Sequence, residues 1–260
     1  MLDETAPPGV NYHRADFRLW LPENVKSFRA VLVLAPGSNA DGRSEADDPF
    51  WRTFASRNDL ALIACHFTDR PHEKEFIEHY ADASRGSGQA LLDALATFSR
   101  RCKRPELAHA PLLLWGMSAG GEFNYEFTAW KPERVVAFIV NKGGVYYSAL
   151  LPKAARNVPG LFFIGKKDRD WRKRIVAGLF ALNREAGAHW LLLEEPNVGH
   201  VVGRSKEQAA LFFDAILPLR LDTPPNAASP ARLKAIDETS QLFRDLTQQL
   251  QSHFPNGRNP

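Results

Sequence analysis

Cysteine is scarce in this chain of 260 residues, with Cys65 and Cys102 its two examples. Two thiols cannot form the disulfide framework of a small secreted scaffold, and no Cys-x-x-Cys or His-Glu-x-x-His spacing offers a metal cage. Cys65 ends an apolar run and reads as a buried thiol, with a Cys65–Cys102 disulfide left open. Charge of one sign is also lacking: 33 Lys and Arg stand against 30 Asp and Glu, a formal net of +3. Without a basic stripe there is no reason to expect a nucleic-acid partner. The cluster Arg100, Arg101, Lys103 and Arg104 reads as the solvated last turn of a helix, where positive charge complements the helix dipole. No apolar run approaches the roughly 18 residues that cross a bilayer, and Met1 to Val10 holds no apolar signal core. The expectation is a soluble chain with no membrane partner, either cytoplasmic or secreted and seen without its leader. No internal repeat is visible.

What is present is core. Hydrophobic residues make up 44% of the chain and aromatics 11%, as in a globular domain and unlike a disordered segment. Short, continuously apolar runs recur: Ala30–Ala35, Leu60–Cys65, Leu112–Leu114, Val135–Val140, Gly160–Gly165 and His189–Glu194. Between them lie segments with helical spacing, such as Pro49–Asn58, Gln89–Arg101, Trp171–Ala186 and Glu207–Leu217. Buried strands alternating with helices predict an α/β fold, a mostly parallel doubly wound sheet flanked by helices. Phe17–Leu21 alternates apolar and polar residues and suits an antiparallel edge strand stopped by Pro22. A long polar loop is expected over 66–88, which leaves His66, His72 and His79 solvated.

One junction stands out. The run ending at Leu114 passes through Trp115 into Gly116-Met117-Ser118-Ala119-Gly120, with a helix-forming segment directly behind it. Strand, tight turn with serine, then helix lifts a hydroxyl clear of a sheet. By itself Gly-x-Ser-x-Gly is a common turn pattern, so the serine needs partners. In such sheets, ligands bind at the carboxyl ends of strands. After the run at Gly160 comes Asp168, and after the run at His189 comes His200. Asp170 competes for the acid, but Asp168 lies closer to its strand end. His189 starts a strand and reads as packed or surface histidine. Serine, acid, histidine, each in its own strand-end loop, is the chain order of a nucleophile, orienting acid and base.

On these residues the chain resembles the α/β-hydrolase fold serine esterases from about Phe17 to Leu217. Within them it is similar to compact enzymes related to polyhydroxybutyrate depolymerases and feruloyl esterases, including the Leu-Pro near Pro22. The resemblance implies Ser118 as nucleophile, Asp168 as the acid after the seventh strand and His200 as the base after the eighth. It also implies an oxyanion hole from the amide of Ala119 and a loop amide after the third strand. There the family usually carries His-Gly, whereas this chain has Pro36-Gly37-Ser38, so the second amide is that of Ser38 or Asn39.

The chemistry needs these residue types. A serine hydroxyl is a poor nucleophile unless a neighbouring base takes its proton, and histidine does this near neutral pH. A buried acid fixes the histidine's tautomer. Preorganised amides stabilise the oxyanion, one such donor being worth roughly 3 kcal/mol. Met117, Tyr146, Tyr147, Trp171 and Phe67 are candidate substrate-binding residues. Lys166, Lys167, Arg169, Arg172, Lys173 and Arg174 surround the acid and read as a solvated helix start. Residues 145–157 are short enough for a small cap only, hence an open site for short, aromatic or polymeric esters. No cofactor or metal is expected.

Residues 1–220 are expected to form the catalytic domain. The stretch 221–260 then holds a proline-rich linker over 222–230 and an amphipathic helix over 231–253. Its apolar stripe, Leu233, Ile236, Phe243, Leu246 and Leu250, would pack on the domain or on a second copy in a homodimer. The leading function is hydrolysis of carboxylic esters through an acyl-enzyme. The alternatives are a peptidase or thioesterase with the same three residues, or a non-catalytic binding protein.

Overall fold

Ala30–Ala35 is apolar at every position, and a strand with that pattern is stable only when both of its faces are covered. A computed structural model, which describes residues 1–73, 77–221, 233–236 and 241–252, covers them. The elements are β1 (Leu2–Ala6), β2 (Arg14–Trp20), β3 (Ala30–Ala35), α1 (Pro49–Arg57), β4 (Leu60–Thr68), α2 (Ser87–Cys102), β5 (Leu112–Gly116) and α3 (Ala119–Trp130). They continue with β6 (Val135–Asn141), α4 (Lys153–Arg156), β7 (Gly160–Gly165), α5 (Asp170–Glu185), β8 (Trp190–Glu195), α6 (Ser205–Arg220) and α7 (Gln241–Ser252). All eight strands join one sheet in the order β1-β2-β4-β3-β5-β6-β7-β8. β3 to β8 are parallel, while β1–β2 and β2–β4 pair antiparallel.

Alternation along the strands divides the core. Val31, Val33, Leu112 and Leu114 point to one face, packed with Leu91, Leu95, Phe123, Phe127, Val176 and Phe180 of α2, α3 and α5. Leu32, Leu34, Leu113 and Trp115 point to the other, packed with Trp51, Phe54, Phe212 and Phe213 of α1 and α6. Each fully buried large side chain contributes about 1.5–3 kcal/mol, so the central strands are the stable part of the molecule. Because β4 lies on one side of β3 and β5 on the other, the loops leaving β3 and β5 diverge. Between them opens the crevice where doubly wound sheets bind ligands.

Several expectations need correction. The antiparallel edge is β1, not the strand at Phe17. Leu2–Ala6 alternates between half-buried and exposed residues, and its half-buried face offers Leu2 and Ala6 to the core. It is held by main-chain pairing to β2 and by Asp3–Arg18 (2.8 Å). β4 extends to Thr68, so His66 and Phe67 belong to a strand, and His66 is buried with Nδ1 3.2 Å from the Asp16 carboxylate. Cys65 and Cys102 are free thiols. The C-terminal helix starts at Gln241, whereas Leu233 forms a single antiparallel bridge with Leu221. Ile236, Leu246 and Leu250 are buried in the cluster of α1 and α6. The proposed linker over 222–230 lies outside the described residues. No helix among the described residues is long and apolar enough to cross a membrane.

Candidate active site

The turn after β5 carries Ser118 at φ 52°, ψ −123°, a conformation that costs a non-glycine residue of order 1–3 kcal/mol and persists only when its surroundings impose it. They do so through three strands. The Met117 amide donates to the Ala35 carbonyl (3.1 Å) and the Ser118 amide to Asn141 (2.8 Å). A Cβ at Gly116 would lie 2.2 Å from the Gly120 carbonyl oxygen, and one at Gly120 2.2 Å from that of Ala35. Both glycines are therefore required by close approach of the backbone.

Three side chains meet above this turn. Ser118 Oγ is 3.0 Å from His200 Nε2, and His200 Nδ1 is 2.9 Å from Asp168 Oδ2. The second oxygen of Asp168 accepts the Arg169 amide (2.7 Å) and the Arg172 guanidinium (2.6 Å). Burial alone would raise the Asp168 pKa. The bonds from His200, the Arg169 amide and Arg172 outweigh it and hold the carboxyl below its ordinary value. Because the folded value is depressed, the stability Asp168 contributes is present above the unfolded carboxylate pKa. It is lost as pH falls through the lower, folded one. Asp170 is absent from this relay, its carboxylate being exposed and paired with Lys173 at 2.8 Å. Arg172 is buried rather than solvated, with its guanidinium 4.7 Å from the centre of the Trp171 ring.

The acid and histidine loops are sewn together. Lys166 and Lys167 amides donate to the carbonyls of Glu195 (3.0 Å) and Val198 (2.9 Å). Beneath them is an ion pair invisible in the sequence, Lys142 with Glu195, both side chains essentially inaccessible. Glu195 also accepts the Arg204 amide at 2.7 Å, which closes the segment bearing His200, and Lys142 donates to Asn141 Oδ1 at 2.8 Å. Burial lowers the Lys142 pKa, and Glu195 opposes it. Removing one partner leaves a buried charge uncompensated. Lys142→Met is therefore expected to cost about 3–5 kcal/mol of unfolding free energy, with Lys142→Met/Glu195→Leu recovering most of it. Urea denaturation of the two variants measures this, and an unchanged midpoint for the single variant would contradict it.

A cleft of about 320 Å³ opens over Ser118, lined by Gly37, Ser38, Met117, Val145, Trp171 and His200 among others. Ser38 lines it and Ala119 directly follows Ser118, and among the described residues the amide of neither donates to a main-chain carbonyl. The Asn39 amide does not serve the cleft, because it donates to the Tyr80 hydroxyl at 3.2 Å. Phe67 does not reach the cleft either: it is 2% exposed, wedged between the rings of Phe17, Tyr80 and Phe123 at 5.0–5.5 Å. Tyr146 and Tyr147 border a neighbouring groove with Ile175, Leu179 and Leu182, which shares Val145 with the cleft. Sequence reasoning passed over Glu78 and Glu122, which also line the cleft. The available signal was spacing, since Glu122 lies one helical turn beyond Ser118. Away from the cleft, ligand-type atoms of Asp69, His72 and His79 lie within 4.8 Å of one another. The Asp69 carboxylate there is already bonded to the His79 and Tyr80 amides and to His72.

No protein-family model and no curated protein sequence matches the chain. Solved structures do match. A poly(3-hydroxybutyrate) depolymerase from Bordetella parapertussis is 19% identical with a TM-score of 0.59, covering 87% of this chain and 92% of its own. A ferulic acid esterase is 13% identical with a TM-score of 0.60, over 84% of this chain and 96% of its own. An S-formylglutathione hydrolase from Agrobacterium tumefaciens is 13% identical with a TM-score of 0.59, over 83% and 94%. The chain has the α/β-hydrolase fold.

Proposed function

We propose that this protein is a serine hydrolase that cleaves carboxylic esters through an acyl-enzyme. The reading is carried by the unbroken relay from Ser118 Oγ through His200 to the buried Asp168 carboxylate. With Nδ1–H donated to Asp168, His200 Nε2 takes the Ser118 proton as Oγ attacks the ester carbonyl. The tetrahedral oxyanion is held by the amides of Ala119 and Ser38, two donors with no main-chain acceptor among the described residues. Collapse breaks the bond to the alcohol, which leaves with the proton from His200. Water then attacks the acyl-Ser118 carbonyl, with His200 as base, and releases the acid and the free serine. The similar structures named above suggest aromatic and polymeric esters as probes. A panel of acetyl, butanoyl, feruloyl and oligomeric 3-hydroxybutanoyl esters, with a thioester and an anilide, tests this. Fastest turnover among the oxygen esters is expected. Anilide or thioester cleavage with inert esters would transfer the relay to a peptidase or thioesterase, and an inert panel with retained ligand binding would indicate a binding protein.

A further inference from the structure

Two carboxyls in the cleft have no part in the chemistry above. Glu122, 4% exposed, accepts the amides of Gly144 (2.6 Å) and Val145 (2.9 Å) on one oxygen, while its other oxygen is buried without a hydrogen-bond donor. Glu78, 6% exposed, accepts the Ser38 hydroxyl. Both line the same cleft as Ser118 and His200. The guanidinium in that lining, Arg172, is already committed to Asp168. Carboxyls thus outnumber available positive charge beside the nucleophile.

We propose that Glu78 and Glu122 form a cation subsite, so that the esters turned over here carry an ammonium-type group a few bonds from the scissile carbonyl. The inference rests on the serine-esterase reading. Two acidic groups brought together out of water repel one another, and a substrate cation between them relieves both the repulsion and the lost hydration. Burial raises the Glu122 carboxyl, and the net of all its surroundings holds it at about 8. The Val145 and Gly144 amides pull it down, the charge on Glu78 pushes it up again, and Arg172 opposes that rise. The other titratable groups facing it are Tyr80, Tyr146 and Tyr147. Glu122 is therefore mostly protonated near neutral pH, and its attraction for a cation grows as pH rises through 8.

Two pairs of isosteric esters test this with permanently charged probes. On the alcohol side the pair is butyrylcholine and 3,3-dimethylbutyl butanoate. On the acyl side it is the p-nitrophenyl esters of 4-(trimethylammonio)butanoate and 5,5-dimethylhexanoate. In at least one pair the cationic member is expected to show a kcat/KM about tenfold or more above its neutral twin, as two charges a few ångströms apart near a protein surface imply. The ratio is expected to rise between pH 6 and 8.5 and to collapse toward unity in Glu122→Gln. Glu78→Gln, on a different segment, should lower it as well and covers the case in which Glu122→Gln fails to fold. Neutral esters turned over by wild type but not by Ser118→Ala, with no cationic preference in either pair, would overturn the subsite and leave the esterase reading standing. If none of the four esters is turned over while other oxygen esters of the panel above are, the subsite alone falls; if every oxygen ester is inert, the esterase reading falls and the subsite with it.

Discussion

Replacing Ser118 with alanine is expected to lower kcat on a p-nitrophenyl ester by roughly a millionfold, the size of effect seen when a relay of this kind loses its nucleophile. Among the described residues its side chain has one hydrogen bond, to His200, so the fold has little to lose. The backbone bonds that pin the turn, from the amides of Met117 and Ser118, do not involve the hydroxyl. A thermal melt within about a degree or two of wild type should accompany the kinetic loss, as expected when less than about 0.5 kcal/mol is at stake. Equal hydrolysis by the two proteins would show that another group performs the chemistry. Covalent labelling of wild type but not of Ser118→Ala by a fluorophosphonate gives an independent readout of the same oxygen.

Asp168→Asn is expected to reduce kcat by roughly ten-thousandfold, because an amide at this position stabilises the wrong histidine tautomer and cannot balance the imidazolium. The charge also holds Arg172, which lies 2.6 Å away and is buried, so the variant should melt lower than wild type as well. Asp170→Asn is the control. Its carboxylate is 75% exposed and touches Lys173 alone among the described salt bridges, and exposed pairs contribute about 0–1 kcal/mol. Its turnover should stay within about twofold of wild type, in keeping with the small effects of surface substitutions. If Asp170→Asn were the crippled variant and Asp168→Asn the active one, the acid would be assigned to the wrong loop. Kinetics at a temperature below both melting transitions separates catalytic loss from unfolding.

The sequence exposed the central strands and the three loops at their carboxyl ends because both leave local marks. Ala30–Ala35 and Val135–Val140 are uninterrupted apolar runs, and Ser118, Asp168 and His200 each follow such a run. β1 left little mark, since only Leu2 and Ala6 reach the core and the charged and polar residues between them pair through main-chain bonds. Phe67 looked like loop because the strand pattern weakens at His66, yet His66 is buried on Asp16. Asn39 and Ser38 were equivalent until the Tyr80 hydroxyl, 41 positions further on, took one of the two amides. Arg172 reads as solvated because charge usually is, and Lys142 and Glu195 carry no signal of their own in the sequence. Their burial depends on partners contributed by other strands and loops, which no local pattern records.

Helix α3 begins at the nucleophile turn and, one and two turns on, extends Glu122 and Glu126 to the chain that follows β6. Glu122 receives the amides of Gly144 and Val145, and Glu126 those of Tyr147 and Ser148, each between 2.6 and 2.9 Å. The wall of the cleft and the serine are thereby parts of one stiff body, with no hinge between them. The Trp171 ring packs against Gly144 and belongs to that wall, so adaptation to a bulkier substrate must come from the other bank, where Gly37–Ala40 leave β3. Engineering for breadth belongs on that bank, whereas a change on the α3 side alters the reach of Ser118 and the shape of the cleft together.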